Sequence, residues 1–499
     1  MRAKIAGAWE LWSILAAQAA LTIPWLWRTA PFTDEALYLE AGHAEWAHWL
    51  HNAPIQNYPS WFSGAPTLYP PLAAAANSLG GLPLARTLSL VFMLGSTVLV
   101  YLVAERLFGH LTAVVTALLF ALCGLDVHYG AFATYGPMAV FLLALATWAA
   151  VRISDGGPAW LAICAVALVA ANGTKYATIA WDPIVVALIV LHGWPSGRWL
   201  AIGRAASMTV TTLVVGFGLL LIGGASYARG LIVTTLFRSI SFANPSPASA
   251  VALHALAMTG LLVVPAALGI IVAIGVRAPV PVVLILCVLL LGSLLAPIDQ
   301  ARIHQLTSLD KNLGFGLPFA AIGAGYAVVA GGQWLARRRS WGGPAAVVAA
   351  VALVLTVVVV GRLQKVQFRG PGITVAREIV AAIQQHYQRG TYILSDGAAR
   401  MEQYYLPAIH AGNWIATFLP DSQQKAEIAR QICAGRVSIV VLRKTDGVFN
   451  HTYDATILAM LGRARRYSLA VNASAGHSST QVYRLTTAPG TGQGGQLCG

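Results

Sequence analysis

Two adjacent carboxylates, Asp34 and Glu35, are suited to acid–base chemistry near the start of the chain. They follow the first apolar segment by only a few residues, within Phe32-Thr-Asp-Glu-Ala-Leu-Tyr38. In the lowered dielectric at a bilayer surface, one carboxylate can act as a general base while its neighbour orients it or binds substrate. The alternative is a helix start with Thr33 as N-cap, where first-turn acids complement the helix dipole. The two interpretations are compatible, because a cap also fixes the position of a carboxylate.

Cationic side chains in the predicted loops form a second set of candidates. Those at the same membrane face are Lys175, Arg229, Arg238, Arg302 and Lys311. For each of them the alternative is a snorkelling anchor, the usual role of Lys and Arg at a membrane edge. Arg302, His304 and Lys311 differ, because they share one short loop between two long apolar segments. We expect Arg302 and Lys311 to contact a phosphate, since a leaving phosphate needs cations beside it.

Histidines of the N-terminal loop raise the question of a metal site. His43, His48 and His51 lie near Glu40 and Glu45, and imidazole and carboxylate are ligands that suit zinc. The alternative is an interfacial amphipathic helix whose apolar face lies on the bilayer. That alternative is favoured, so a divalent metal is not part of the prediction.

Long apolar segments must position these residues. Of the 499 residues, 57% are hydrophobic and 10% are charged, whereas soluble domains carry roughly 25% charged residues. A spanning helix needs about 20 mostly apolar residues. About eleven segments fit that description, near residues 9–28, 86–104, 111–125, 135–151, 159–171, 176–192, 205–223, 251–275, 280–296, 313–332 and 344–361. The sequence therefore predicts a polytopic α-helical membrane protein.

The loop charges predict the direction in which the chain crosses the membrane. With a cytoplasmic N-terminus, the cytoplasmic loops are short and basic, and they contain Arg106, Arg152, Arg198, Arg204, Arg277, Arg337, Arg338 and Arg339. The outer loops are longer, near 29–85 and 224–250, and the outer side carries most of the loop acids. This pattern satisfies the positive-inside rule. An odd number of spans then puts the C-terminal part outside the cell membrane.

After about residue 362 the sequence alternates short helical and strand patterns. The predicted helices cover residues 375–387, 422–433 and 453–463, and the predicted strands cover 392–394, 437–442, 467–472 and 481–486. The alternation predicts a small extracytoplasmic α/β domain at 362–486, after a membrane domain at 1–361. The Gly-rich residues 487–499 are expected to be disordered.

Charge placement and cysteine spacing exclude two other classes. A formal net charge of +14 would suit nucleic-acid binding, but the basic residues mark loops and no nucleic-acid motif occurs. No nucleic-acid partner is therefore predicted. The five cysteines show no CxxC spacing, so the sequence predicts neither a disulfide framework nor a zinc site.

The order of several short motifs resembles that of the GT-C glycosyltransferases. Asp34-Glu35 follows the first span, Tyr69-Pro-Pro-Leu72 lies in the same outer loop, and Lys175-Tyr-Ala comes after a short span. The order is completed by Arg302-Ile-His304, Leu309-Asp-Lys311-Asn and a Gly-Phe-Gly. Over about residues 10–330 the sequence resembles the glycosyltransferase 39 group, which includes protein O-mannosyltransferases and lipid A aminoarabinose transferases.

The resemblance implies an inverting glycosyltransferase with a GT-C membrane domain. Such enzymes move a sugar from a polyprenyl-phosphate carrier to an acceptor hydroxyl at the outer face, with the first-loop acid as base. Carried onto this chain, the base is Asp34, supported by Glu35, while Lys175 and His304 join the substrate-binding candidates. The implied donor is a lipid-linked hexose or pentose. The implied partners are the carrier lipid and an acceptor glycan, lipid or protein.

Two positions depart from the family pattern. Aminoarabinose transferases carry Lys before the Pro-Pro-Leu element, so Tyr69 is a substrate-binding candidate that lacks the lysine's role. Many relatives carry an acid where this chain has Gly136. Asp126, about two to three helical turns earlier, is expected either to replace that acid or to cap the outer end of a helix. The missing acid implies altered acceptor handling or lost activity.

Two other functions stay open. A lipid or glycan transporter, or a flippase, should show repeated halves and ionisable residues deep within its spans. No convincing repeat is present, and Asp182 is the only acid in the interior of a predicted span. The other alternative is a catalytically silent GT-C relative that acts through its C-terminal domain, and Gly136 is the residue that keeps it open.

Overall fold

The chain divides into two compact units. The first contains Met1–Leu26 and Ala41–Phe368, and the second contains Trp27–Glu40 and Arg369–Gly499. The computed structural model describes residues 2–238, 245–306, 308–338, 342–364, 371–396, 399–417, 421–445, 448–449, 453–475 and 478–486. Arg339, and residues 487–499 that were expected to be disordered, lie outside the described residues.

Long helices dominate the first part of the chain. In chain order they are α1 (Arg2–Thr22), α2 (Thr33–His51), α3 (Tyr69–Phe108), α4 (His110–Ala121), α5 (Gly124–Tyr129), α6 (Tyr135–Arg152), α7 (Pro158–Thr174), α8 (Asp182–Gly193), α9 (Arg198–Thr235), α10 (Ala248–Gly275), α11 (Val280–Arg302), α12 (Leu309–Leu313), α13 (Leu317–Arg338) and α14 (Gly342–Leu363). Each apolar segment predicted from the sequence overlaps one of these helices. The division between the two units falls within α2, between Glu40 and Ala41.

The chain is a polytopic helical membrane protein, as the sequence predicts. Within the described ranges, eight helices are long and apolar enough to cross a membrane. α4 and α7 are apolar but have only 12 and 17 residues, and α1 is not among the eight. The predicted number of about eleven spans is therefore not confirmed.

Both of the long outer loops predicted from the sequence contain helix. α3 begins at Tyr69 with proline in its first turn. Proline lacks a backbone N–H, but the N–H groups of a first turn have no acceptor within the helix, so no helical hydrogen bond is lost. α9 continues to Thr235. Each helix breaks at a glycine, Gly81 with φ +65° and Gly224 with φ +75°, in the left-handed region that favours glycine. The irregular part of the first loop is therefore shorter than 29–85.

The second unit contains a mixed sheet with helices. Its elements are α15 (Ile373–His386), β1 (Tyr392–Ser395), α16 (Arg400–Tyr405), β2 (Trp414–Ala416), α17 (Ser422–Cys433), β3 (Val437–Thr445), β4 (Val448–Phe449), α18 (Asp454–Ala464), β5 (Tyr467–Ala475) and β6 (Ser478–Leu485). The strand order is β2-β1-β3-β6-β5, with β4 paired to β3. β1 runs parallel to β2 and β3, whereas β6 is antiparallel to β3 and β5.

Two hydrophobic cores take alternate residues of the central strands. Ile393 and Ile439 belong to one core, and Leu394 and Val440 belong to the other, because successive strand side chains point to opposite faces. The helices and strands predicted in this domain are confirmed. α16, β2 and β4 were not predicted, since elements of 6, 3 and 2 residues show too little periodicity. Cys123, Cys164 and Cys287 are free thiols.

A buried charge cluster anchors β3. Arg443 donates hydrogen bonds to Asp396 and Glu402, whose side chains are both 1% exposed. Burial alone would lower the pKa of Arg443, but the two carboxylates raise it above its ordinary value. Removing one partner of a buried ion pair costs about 3–5 kcal/mol, because the other charge is left buried and unpaired.

The second unit also includes residues 27–40, which we name the acid segment because it carries Asp34. Thr29 forms an antiparallel bridge with Gly372, just before α15. The stretch of chain from Ala41 to Phe368 separates these partners in sequence. No local pattern could have predicted the pairing, because a single bridge has no periodicity of its own.

Candidate active site

The predicted base, Asp34, is half-buried in the first turn of α2. Tyr38 Oη donates a hydrogen bond to Asp34 Oδ2 at 3.4 Å, one helical turn later. Glu35 is fully buried, and its Oε2 accepts a hydrogen bond from the backbone N–H of Phe32 at 3.3 Å. The helix begins at Thr33, so the cap position is Phe32 and not Thr33. Glu35 holds the helix start, and Asp34 is the carboxylate with exposed surface.

Lys175 holds the first loop against the end of α7. Its side chain is 8% exposed, and its Nζ donates to Ser63 Oγ at 2.6 Å. The backbone N–H of Ala65 donates to Gly173 O at 2.7 Å, and that of Tyr176 donates to Ser63 O at 3.0 Å. Lys175 therefore has a clear structural contact in this state, and its substrate-binding role stays a prediction.

Tyr69 is fully buried at the start of α3. Its hydroxyl shares a hydrogen bond with Ser89 Oγ at 3.1 Å, and its ring lies edge-on to Tyr135 with 5.9 Å between centroids. A side chain without exposed surface does not meet a substrate in this state. The residue contributes to packing between α3 and α6, and its substrate-binding role stays a prediction.

Arg302 and His304 lie at the end of α11, where both are exposed. Arg302 Nη2 lies 2.7 Å from Asp299 Oδ1, and the two side chains are 64% and 52% exposed. An exposed pair of this kind contributes about 0–1 kcal/mol. His304 has φ +55°, and its Nδ1 lies 3.1 Å from the carbonyl oxygen of Ser246. Arg302 is therefore accessible to a ligand, and its pair with Asp299 is the contact that the described residues give its side chain.

Lys311 belongs to α12, which is anchored on both sides. Asp310 is fully buried, and its Oδ1 accepts a hydrogen bond from His254 Nε2 at 2.7 Å. The hydroxyl of Tyr129 donates to the carbonyl of Lys311, and it lies 3.3 Å from the carbonyl oxygen of Asp310. These contacts fix the backbone from which the half-buried Lys311 side chain extends. Of the predicted phosphate contacts, Lys311 is the one that the fold pre-organises.

Tyr129 fills the space beside Gly136. A Cβ at position 136 would lie 2.6 Å from Tyr129 Cε1, and a Cβ at Gly314 would overlap the same ring. The ring therefore occupies the room that an acidic side chain at 136 would need. The glycine at position 136 leaves room for the Tyr129 ring, and the hydroxyl of that ring contacts the backbone of α12.

Asp126 is fully buried in the first turn of α5. Its Oδ2 accepts a hydrogen bond from Gln18 Nε2 at 2.6 Å, and Thr97 Oγ1 donates to Gln18 Oε1 at 2.8 Å. The chain of contacts links α5 to α1 and α3. Asp126 is therefore closed to a substrate in this state, and both of its expected roles stay predictions.

Two of the three histidines of α2 contact neighbouring protein groups. His43 Nε2 lies 3.1 Å from Asn77 Oδ1, and His48 Nδ1 lies 2.9 Å from the carbonyl oxygen of Ala53. In the part of the chain that the structure describes, no three His, Cys, Asp or Glu side chains are grouped so that they could hold a metal ion.

Glu45 is a buried carboxylate whose environment the sequence did not reveal. It is 5% exposed, and burial raises its pKa, an effect that His48 reduces in part. One turn earlier, a Cβ at Gly42 would overlap the carbonyl oxygen of Pro70, so only glycine lets α2 lie directly on the start of α3. A glycine inside a helical pattern is the signal that could have indicated this close packing.

His254 and Tyr129 are the residues near the predicted site that sequence reasoning missed. His254 is a polar residue in an otherwise apolar helix, α10, and such residues usually face the protein interior. The position of His254 in the sequence could therefore have indicated a buried polar contact, although not the residue that it contacts. Tyr129 gave no signal, because its contacts come from residues 136 and 310–314, which only the fold brings together.

By sequence, the chain matches no protein-family model and no curated protein. Its structure is similar to that of ArnT from Cupriavidus metallidurans bound to undecaprenyl phosphate, at 16% identity and a TM-score of 0.58 over 94% of this chain and 97% of ArnT. The chain has the GT-C fold. The sequence resemblance therefore predicted the fold correctly.

Two further structures share the GT-C fold. The oligosaccharyltransferase AglB from Archaeoglobus fulgidus, in complex with an inhibitory peptide and a dolichol-phosphate, is 13% identical with a TM-score of 0.58 over 87% of this chain and 69% of AglB. The arabinofuranosyltransferase AftD from Mycobacteria is 13% identical with a TM-score of 0.52 over 96% of this chain and 40% of AftD. This chain is thus similar in extent to ArnT and much shorter than AftD.

Proposed function

We propose that this protein is an inverting glycosyltransferase that uses a polyprenyl-phosphate sugar as donor. The observation that carries the proposal is the GT-C fold, shared with a lipid-bound ArnT over nearly the full length of both chains. A half-buried carboxylate at the start of α2 adds a group suited to acid–base chemistry.

In the proposed reaction Asp34 is the general base. The acceptor hydroxyl gives its proton to the Asp34 carboxylate while its oxygen forms a bond to the anomeric carbon. The bond between that carbon and the phosphate oxygen breaks, and polyprenyl phosphate leaves with the electron pair. General-base catalysis typically contributes about 10²–10⁴-fold. The bond from Tyr38 orients the Asp34 carboxylate, and Glu35 acts by holding the helix start.

Lys311 is the proposed phosphate contact. Its backbone is anchored through Tyr129 and through the Asp310–His254 pair, and a pre-organised cation stabilises developing charge without a cost of reorganisation. Arg302 and His304 are proposed as outer contacts, since they are exposed. Lys175 is proposed to act indirectly, through the loop that it holds at Ser63.

The chemistry is proposed to take place at the outer face, with a cytoplasmic N-terminus and an extracytoplasmic C-terminal domain. The short basic and long acidic loops support this direction. Cysteine labelling from outside intact cells, with single cysteines placed at Glu427 and Arg277, would test it. Labelling at 427 and not at 277 is expected.

The sugar and the acceptor are best identified by transfer itself. Purified protein in liposomes would be offered a panel of polyprenyl-phosphate hexoses and pentoses with protein, glycan and lipid acceptors. We expect one donor class to be consumed, with release of polyprenyl phosphate and an inverted anomeric configuration in the product by NMR. Movement of intact donor across the bilayer without release of phosphate would indicate a flippase instead. Absence of turnover with every pair would favour a catalytically silent relative.

A further inference from the structure

The acid segment is built into the C-terminal domain through its backbone. The N–H of Ala30 donates to the carbonyl oxygen of Pro371 at 2.8 Å, and the N–H of Ile373 donates to that of Arg28 at 3.1 Å. The second bond joins Arg28, which precedes the helix that carries Asp34, to Ile373, the first residue of α15. The position of the segment therefore depends on the C-terminal domain, and not only on the span that precedes it.

The segment also contributes to the core of that domain. Ala30 has no exposed surface and belongs to the same hydrophobic cluster as Val375, Ile379, Ile393 and Ile439. A residue in a close-packed core transmits small displacements of its neighbours, because interiors have few voids. The acid segment and α15 are thus parts of one packed body.

A side-chain contact holds the other end of the segment. Arg400 Nη1 donates to Glu40 Oε2, and the same guanidinium reaches Gln403 Oε1 at 3.5 Å. Arg400 is the first residue of α16 in the C-terminal domain, whereas Glu40 lies in α2 six residues after Asp34. Six helical residues span about 9 Å, so Asp34 lies between two attachments to the same domain.

We propose that the C-terminal domain is the positioning element for the general base, with Arg400 and Glu40 as its positioning residues. The inference rests on the proposed function, in which Asp34 takes the acceptor proton. A displacement of about 1 Å in a reacting group can reduce the rate about 100-fold. The pairing of Thr29 with Gly372 fixes the chain before the start of α2, and the ion pair between Arg400 and Glu40 fixes a second point within α2.

The alternative is that Arg400 and Glu40 form only a surface ion pair. Their side chains are 22% and 37% exposed, and exposed pairs contribute about 0–1 kcal/mol. A purely structural contact of this size would change the melting temperature slightly and leave kcat unchanged. A positioning contact would lower kcat while the donor KM stays the same, because donor binding does not use the base.

The test is a charge swap in the full chain. Arg400→Glu and Glu40→Arg would be assayed singly and together, at saturating acceptor, for kcat and donor KM. We expect each single variant to lose about tenfold or more in kcat with donor KM within about twofold. The double variant, with the pair reversed, is expected to recover to within about threefold of the wild type. Hydrogen exchange of the backbone at 27–40 should rise in the single variants and fall again in the double variant.

Arg430→Glu is the matched control. Arg430 pairs with Glu427 on α17 at 2.6 Å, with side chains 72% and 46% exposed, and it has no contact with the acid segment among the described residues. The control should leave kcat, KM and the exchange at 27–40 unchanged. A similar loss in the control would overturn the inference, since the effect would then come from charge alone.

The outcomes separate this inference from the proposed function. If Asp34→Asn loses transfer while both single swap variants keep the kcat of the wild type, the positioning role is wrong and the proposed base stands. If the swap variants lose kcat and the double variant does not recover, the pairing is wrong. If Asp34→Asn keeps full transfer, the proposed base is wrong, and the inference that rests on it is wrong as well.

Discussion

The acid segment and the loop that carries the predicted cations are held in different ways. The acid segment is fixed by backbone pairing to Gly372 and by a core position of Ala30. The cation loop, residues 299–306 and 308–314, is fixed by side chains that reach it from α5 and α10. Backbone pairing tolerates side-chain change, whereas single polar contacts do not. Single substitutions of the anchoring residues should therefore disturb the cation loop, whereas in the acid segment only the end at Glu40 depends on a side-chain pair, the one with Arg400.

Within the cation loop, Lys311 and Arg302 were both predicted to contact a phosphate, but the fold holds them differently. Lys311 extends from a backbone that Tyr129 and Asp310 hold in place. Arg302 is exposed and pairs only with its neighbour Asp299 among the contacts that the structure describes. Pre-organised charge stabilises a transition state more than a mobile charge does. The two cations are therefore expected to differ in their effect on transfer.

Lys311→Ala and Arg302→Ala test this difference most strongly. We expect Lys311→Ala to lower kcat/KM for the donor about 100-fold, the typical effect of removing one pre-organised charge-stabilising donor. Arg302→Ala should lower it by less than about threefold, as expected for an exposed cation. Steady-state assays with the donor varied would measure both. Equal losses would contradict the distinction between the two residues.

His254→Ala tests the anchor below Lys311. The change leaves the buried Asp310 carboxylate without its bond from His254, which should lower the free energy of unfolding by about 2–3 kcal/mol. Thermal unfolding in detergent would measure the loss. His304→Ala is the control, because His304 is exposed in the same loop and its side chain contacts only the carbonyl oxygen of Ser246 among the described residues. A control as destabilised as His254→Ala would indicate that the loop, and not the buried pair, is sensitive.

Gly136→Ala tests whether Tyr129 occupies the place of the missing acid. The new Cβ would meet the Tyr129 ring, and overpacking typically costs about 1–3 kcal/mol. The melting temperature should fall, and the donor KM should rise as Tyr129 withdraws from the carbonyl of Lys311. A Tyr129→Ala background should remove most of the added cost of Gly136→Ala. Additive losses in the double variant would show that the two positions do not share this space.

Glu45→Gln tests a carboxylate on the same helix as Asp34 that we do not assign to the reaction. Its folded pKa is raised by burial above the ordinary 4.5, so stability is lost as pH rises from that value to the folded pKa. Above the folded pKa the loss is constant. Glu45→Gln should therefore raise the melting temperature slightly at pH 7 and have no effect near pH 4. A fall in kcat with an unchanged melting temperature would instead give Glu45 a part in the chemistry.

Features set by local pattern could be predicted from the sequence, and features set by distant pairing could not. Apolar runs predicted the membrane helices, and short strand patterns predicted β1, β3, β5 and β6. The joining of Thr29 to Gly372 has no local signature, so the acid segment was expected to belong with the membrane helices. The burial of Tyr69, a substrate-binding candidate, and of Asp126, expected to replace the missing acid or to cap a helix, could not be predicted, because residue type and order do not report burial. Both are fully buried by neighbours that only the folded chain supplies.

The transfer activity of Asp34→Asn, beside the wild type and Glu427→Gln, tests the central claim most directly. All three proteins would be purified, reconstituted in liposomes and given the donor that the wild type consumes. We predict that Asp34→Asn keeps its melting temperature and loses transfer by about 10²–10⁴-fold, the usual contribution of a general base. Glu427→Gln, which alters a half-exposed carboxylate of α17, should transfer like the wild type. Transfer by Asp34→Asn at the wild-type rate would contradict the account.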